Sequence, residues 1–223
     1  KLVDGFDISN AAFPFMACAS LTVCGGTPAR LFRISFSGEL AYEIAVPARY
    51  GDAMIRALMA AGKEFDATPY GTEALGVMRI EKGHAAGNEL NGQTTALNLG
   101  MARMVSKTKD SIGNTLSERP GMNRDDAIKL VGLRPVDRSK SLSAGAHFVE
   151  RKAQATTEND LGWMTSVAYS PSLGHSIGLG FLQRGDARMG DILRAVNLIH
   201  DQDIEVEVVP THFIDPDGRR LRA

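Results

Sequence analysis

The sequence predicts an α+β fold: an α/β hairpin-and-helix unit over residues 1–121, then a small antiparallel β unit over residues 122–223. Three observations carry this. An alternating run, Leu40-Ala41-Tyr42-Glu43-Ile44-Ala45-Val46, follows a turn at Gly38, and two apolar stripes of helical spacing come after it. Beyond Arg119-Pro120-Gly121 the chain shows only short strands at regular intervals, with no helical period between them.

Taken in order, Arg30 to Ser35 and Leu40 to Val46 read as a hairpin joined across Phe36-Ser37-Gly38-Glu39, where glycine permits a tight turn. On its second strand Tyr42, Ile44 and Val46 share one face, which packs, while Ala41, Glu43 and Ala45 share the other. A carboxylate flanked only by methyl groups stands on that second face. Charged residues are mostly exposed, so the strand alone leaves Glu43 either as solvated surface or as an acceptor for a flat ligand with paired N–H donors. Asp52 caps a helix through Ala60, whose Met54, Ile55, Leu58 and Met59 form a stripe ending near Gly62. A second helix starts at Thr72, carries Leu75, Val77, Met78 and Ile80, and stops at Gly83 with Lys82 in its last turn. Asn88 to Thr95 is loop by composition, and Leu97 to Val105 resumes apolar spacing.

The Pro120-Gly121 pair and the polar Asn123-Arg124-Asp125-Asp126 mark the boundary. Past it, strands are expected at Ile128 to Leu133, Ala146 to Arg151, Gly162 to Tyr169, Ser176 to Leu182, Ile192 to Val196 and Ile204 to Val209. Gly, Pro and Asp punctuate them, which favours an antiparallel barrel or sandwich.

Composition bounds the function. With 223 residues, 43% hydrophobic and 23% charged, the chain has core enough for one large domain or two small ones. A net charge of -1 and no run of five basic residues argue against a nucleic-acid or anionic-membrane partner. No apolar run reaches the ~18 residues of a membrane span. Cys18 and Cys24 have no ligand-like neighbours, so neither disulfide framework nor zinc site is expected, and a cytoplasmic location is the default. The opening Lys1-Leu2-Val3-Asp4 goes straight into patterned sequence, as expected of a piece of something longer.

The remaining polar residues are assigned structural roles. Arg79, Glu81 and Lys82 are expected on the outer face of their helix, solvated or paired along it. The five histidines are scattered without ligand spacing, so no metal site is expected. Gly174, Gly178 and Gly180 fall between strands rather than before a helix, and are read as sites of close backbone packing or bulges rather than a nucleotide loop. Trp163 is read as core. No catalytic residue is assigned.

Three segments in order carry a resemblance: Ser37-Gly38-Glu39-Leu40-Ala41-Tyr42-Glu43-Ile44, then Gly71-Thr72-Glu73-Ala74-Leu75-Gly76-Val77-Met78-Arg79-Ile80-Glu81-Lys82-Gly83-His84, then Gly162-Trp163-Met164-Thr165-Ser166-Val167-Ala168-Tyr169-Ser170-Pro171-Ser172-Leu173-Gly174. Together they resemble the folate-binding aminomethyltransferase family of the glycine-cleavage T-protein. Within it they look most like the C-terminal part of heterotetrameric sarcosine oxidase alpha subunits, a likeness extended by Phe213-Ile214-Asp215-Pro216-Asp217-Gly218-Arg219-Arg220-Leu221. The resemblance implies an incomplete aminomethyltransferase-like fold ending in a barrel. It also implies a module that joins the one-carbon unit released from sarcosine to tetrahydrofolate, giving 5,10-methylenetetrahydrofolate. Alternatives are T-protein itself, a dimethylglycine oxidase or dehydrogenase tail, or an assembly module with a vestigial pocket. Glu43 takes the place of the carboxylate that grips the pterin. Phe213 stands where T-protein has a pocket tyrosine, and Leu75 where it has a folate-contacting arginine. An aspartate that T-protein-like enzymes draw from the N-terminal half lies before this chain begins. FAD, FMN and NAD are expected in the full complex but not on this segment. The implied partners are the other sarcosine oxidase subunits and the N-terminal part of the alpha subunit, and the segment alone is expected to be inactive.

Overall fold

The computed structural model describes all residues, Lys1–Ala223. The chain divides into two compact units: residues 1–75 with 217–223, and residues 76–216.

In the first unit, strands β1 (Cys18–Val23), β2 (Thr27–Phe32) and β3 (Glu43–Ala45) form an antiparallel sheet in that order. The hairpin read from the sequence is present as β2 and β3, with Arg30 opposite Ala45, Leu31 opposite Ile44 and Phe32 opposite Glu43. Its ladder is shorter than expected. Arg33 to Tyr42 form a long connection in which Gly38 has φ of 86° and donates its N–H to Ser35 Oγ. β1 was not anticipated. Helix α1 (Gly51–Gly62) turns Met54 onto Val23 and Ala29, with Leu21, Ile44 and Val46 around them, so one sheet face makes the core of this unit.

Helix α2 runs Thr72–Lys82 and stops at Gly83, whose φ of 75° closes it as the sequence indicates. The unit boundary falls within this helix. In the second unit a six-residue helix, α3 (Ile112–Ser117), precedes β4 (Ile128–Pro135), β5 (His147–Glu150), β6 (Gly162–Ser170), β7 (His175–Gln183), β8 (Ile192–Asn197) and β9 (Gln202–Val209). These six close into an antiparallel barrel in the order β4-β7-β6-β5-β8-β9. A barrel, not a sandwich, thus resolves the open alternative. Val131, Leu133, Phe148, Met164, Leu193, Val206 and Val208 fill its interior. A second cluster on the barrel joins Ile80 of α2 to Leu130, Ile177, Leu179 and Phe181, with Trp163 and Phe213 at its margin.

The glycines of β7 do what close packing requires. A Cβ on Gly178 would lie 2.5 Å from Met164 Sδ, and one on Gly180 would lie 2.7 Å from the Trp163 carbonyl oxygen. Opposite them the β6–β7 register slips between Met164 and Ser166, a bulge at Thr165.

One expectation is overturned. Glu81 and Lys82 are buried and the Arg79 side chain is 12% exposed; none of the three lies on a solvated face. Their partners are remote in sequence rather than along the helix. Arg79 pairs with Glu89 at 3.2 Å and donates to Ser166 Oγ at 2.7 Å, Glu81 accepts from Ser170 Oγ at 2.5 Å, and Lys82 meets the Asp215 carboxylate at 3.2 Å. Helical spacing identifies faces but not what covers them, and here the polar face of α2 is covered by chain.

Candidate functional site

Strand alternation and register place Arg30, Phe32, Glu43 and Ala45 on one face of the first sheet, with Cys18 and Ser20 of β1 beside them. That face is open. Arg30, Glu43, Ala45, Cys18 and Ser20 are exposed and Phe32 half-buried, while the opposite face carries the core. The Glu43 carboxylate makes no hydrogen bond or ion pair with the chain. Its flanking residues are alanines; a cleft of about 430 Å³ lies toward the other end of the sheet, lined by residues that include Pro28, Ala29, Arg30, Ala45 and Pro47, and Glu43 is not part of its lining. A charged double acceptor on an open sheet face can pair with a flat heterocycle that presents two adjacent N–H donors.

Phe213 belongs to the second unit. It is half-buried and follows β9, where its backbone N–H and that of Ile214 both donate to the Glu81 carbonyl at 2.9 and 3.0 Å, closing the end of α2. Its ring packs over Gly132, where a Cβ would come within 3.0 Å of Cζ. It also lines a recess of about 350 Å³ with Arg134, His175, Glu207 and His212. Arg134 grips Glu207 through two bonds of 2.9 Å, and its guanidinium holds that carboxyl below the usual range. Burial pushes His212 below its ordinary value, with the positive charges of Lys82 and His84 adding to the effect. The two residues singled out from the sequence therefore stand in different compact units, Glu43 on an open sheet and Phe213 on the barrel.

No group of three or more His, Cys, Asp or Glu side chains is arranged to hold a metal ion, and no helix is long and apolar enough to cross a membrane. Cys18 and Cys24 are unpaired and exposed.

The sequence of this three-stranded sheet, three helices and closed six-stranded barrel matches two family descriptions. Residues 1–109 match the GCVT N-terminal domain, and residues 129–215 match the glycine cleavage T-protein C-terminal barrel domain. The chain belongs to the glycine cleavage T-protein family. A solved structure shares the fold: the glycine cleavage system aminomethyltransferase T of Bartonella henselae superposes with a TM-score of 0.67 at 21% identity, over 83% of this chain and 50% of that one.

Among curated relatives, sarcosine oxidase subunit alpha of Rhizobium meliloti is 44% identical over 99% of this chain, and the chain spans 22% of its length. The aminomethyltransferase of Thermosynechococcus vestitus is 32% identical over 84% of this chain, which spans 48% of it. Within this T-protein-type pair of domains, Glu43 falls in the first and Phe213 in the second. Sequence reasoning missed the buried Arg33 and Glu89. Arg33 carried one faint signal, a lone charge inside the apolar run Leu31-Phe32-Arg33-Ile34. Glu89 carried none: two of its partners, Thr165 and Ser166, lie 76 and 77 residues away in sequence.

Proposed function

We propose that this chain is the folate-binding part of a sarcosine oxidase alpha-type subunit, passing the one-carbon unit from sarcosine oxidation to tetrahydrofolate as 5,10-methylenetetrahydrofolate. The observation that carries the reading is the unpartnered Glu43 carboxylate on an open sheet face. The 44% identity to a sarcosine oxidase alpha subunit along 99% of the chain supports it. Tetrahydrofolate supplies, when bound, the nucleophilic nitrogens that take up the carbon. Glu43 accepts the ring N–H and exocyclic amino N–H of the pterin in a charge-assisted pair. Ala41 and Ala45 leave the approach to that carboxylate open. Phe213 offers an aromatic wall without the hydroxyl of its T-protein counterpart.

The work asked of these residues is orientation, which can by itself supply several kcal/mol of barrier reduction when a nucleophile meets a confined electrophile. No general acid or base on this chain is required for that. The functional division is placed at 121/122, with the N-terminal part of the alpha subunit and the other subunits as partners in the cytoplasm. FAD, FMN and NAD belong to that larger assembly, and the segment alone does not oxidise sarcosine.

Titrating the assembled full-length enzyme with tetrahydrofolate tests the reading. Glu43→Ala should weaken binding at least about tenfold, or ~1.4 kcal/mol, and unchanged affinity would sink the assignment. Leu75, standing where the T-protein arginine contacts folate, favours a second reading as an assembly module with a vestigial pocket. An assembled enzyme that shows no saturable folate binding at all would support that one instead.

A further inference from the structure

The first unit buries an arginine completely. Arg33 is 0% exposed, yet it makes no ion pair with an aspartate or glutamate. Its guanidinium donates to backbone oxygens of Ala41 at 3.4 Å, Leu221 at 3.2 Å and Ala223, the last residue of the sequence, at 2.6 Å. It also lies over the Tyr42 ring, 4.9 Å from the centroid, and its Nε–H has no partner. Desolvating a guanidinium is costly and its Nε–H is left without a partner, so a purely stabilising role would be better served by a neutral side chain of similar size.

What Arg33 touches suggests why it is there. The β2–β3 ladder has three residue pairs, and Glu43 is the first residue of β3. On one side its position is fixed by pairing with Phe32; on the other it depends on whatever holds residues 41 and 42 at the end of a long connection. Arg33 holds both, one through its carbonyl and the other through its ring. Tyr42 is fixed further by donating its hydroxyl to the Ile8 carbonyl at 2.9 Å and by stacking on Phe13 with ring planes 10° apart. Arg33 is itself locked, since its own N–H donates to Ala17 O at 2.9 Å and its carbonyl accepts from Met16 N–H at 2.8 Å.

We propose that Arg33 is a positioning residue for the ligand-binding carboxylate of Glu43, aiming it by clamping Ala41 and Tyr42. The inference rests on the reading of Glu43 as the pterin acceptor. A bidentate contact is sensitive to displacements well under an ångström or two, so a loosened strand entry should cost affinity without removing the carboxylate.

The test is a tetrahydrofolate titration of the assembled full-length enzyme carrying Arg33→Lys, Glu43→Ala, or both, with the melting temperature recorded beside each affinity. Lysine keeps the charge and loses the planar fork and the stacked face. Arg33→Lys should weaken binding roughly fivefold, and the double variant should bind no more weakly than Glu43→Ala alone, because Arg33 acts through Glu43. Unchanged affinity in Arg33→Lys, with Glu43→Ala weakened, overturns the positioning role and leaves the Glu43 reading standing. Additive losses overturn it too, since Arg33 would then act independently. Unchanged affinity in Glu43→Ala overturns both. Should Arg33→Lys fail to assemble, Tyr42→Leu removes the ring beneath the guanidinium and the bond to Ile8. A loss of roughly twofold or more is then expected, absent in Glu43→Ala/Tyr42→Leu relative to Glu43→Ala, and no loss overturns the proposal.

Discussion

Glu89 is fully buried on a loop that composition marks as polar, and every acceptor position is used: it takes bonds from Thr165 Oγ1 at 2.5 Å, Ser166 Oγ at 2.6 Å, Ala86 N–H at 2.8 Å and the Arg79 guanidinium at 3.2 Å. Removing one partner of a buried ion pair strands the other, so Glu89→Ala should lower unfolding free energy by about 3–5 kcal/mol. Urea denaturation measures this, with Glu89→Gln expected to lose less. His212 gives a pH prediction. Its folded pKa is depressed below the ordinary 6.5, so on acidification the unfolded state binds the proton first. Stability contributed by the neutral imidazole is therefore present above about pH 6.5 and lost as pH falls from there through the folded pKa. His212→Gln should flatten that acid limb of the unfolding profile, and an unaltered limb would contradict it. These residues were illegible in the sequence for one reason: a buried charge is recognised by its partners, and those of Arg79, Glu81, Lys82 and Glu89 are mostly far away along the chain. Glu43 was legible as an odd carboxylate among alanines, and the open sheet face agrees with that pattern.

At the level of elements, legibility followed how much of the local pattern each element itself determines. The six barrel strands could be read because each alternates or runs apolar between Gly, Pro and Asp, and their observed ends lie within about two residues of expectation. β1 went unread although Ala19, Leu21 and Val23 alternate with Cys18, Ser20 and Thr22, a pattern that pairing with β2 realises. α3 has six residues and no apolar stripe to betray it. β7 carries the clearest element-scale prediction. Its glycines let β6 and the barrel interior close in, so Gly180→Ala should overpack against Trp163 O and Phe148, costing roughly 1–3 kcal/mol. The urea midpoint should fall with its slope unchanged, and a variant as stable as the parent would show that the strands can spread. Gly83 makes a similar case at the end of α2, where its φ of 75° and a Cβ position 2.5 Å from the Thr211 carbonyl oxygen disfavour any side chain.

For the whole molecule, the sequence pattern separated an α/β part from an all-β part, whereas the contacts divide the chain within α2 and return residues 217–223 to the first unit. That return was invisible to local reading, because Arg33 reaches Leu221 across 188 residues and Arg220 reaches Glu39 across 181. One unit carries the open sheet that bears Glu43 and the other the packed barrel. The most direct measurement is a crystal structure of the assembled full-length enzyme with tetrahydrofolate bound. If Glu43 holds the pterin, two pterin nitrogens will lie within about 3 Å of its carboxylate oxygens. Folate bound with Glu43 still facing solvent, or the face of β2 and β3 filled by other chain with no ligand against it, would contradict it.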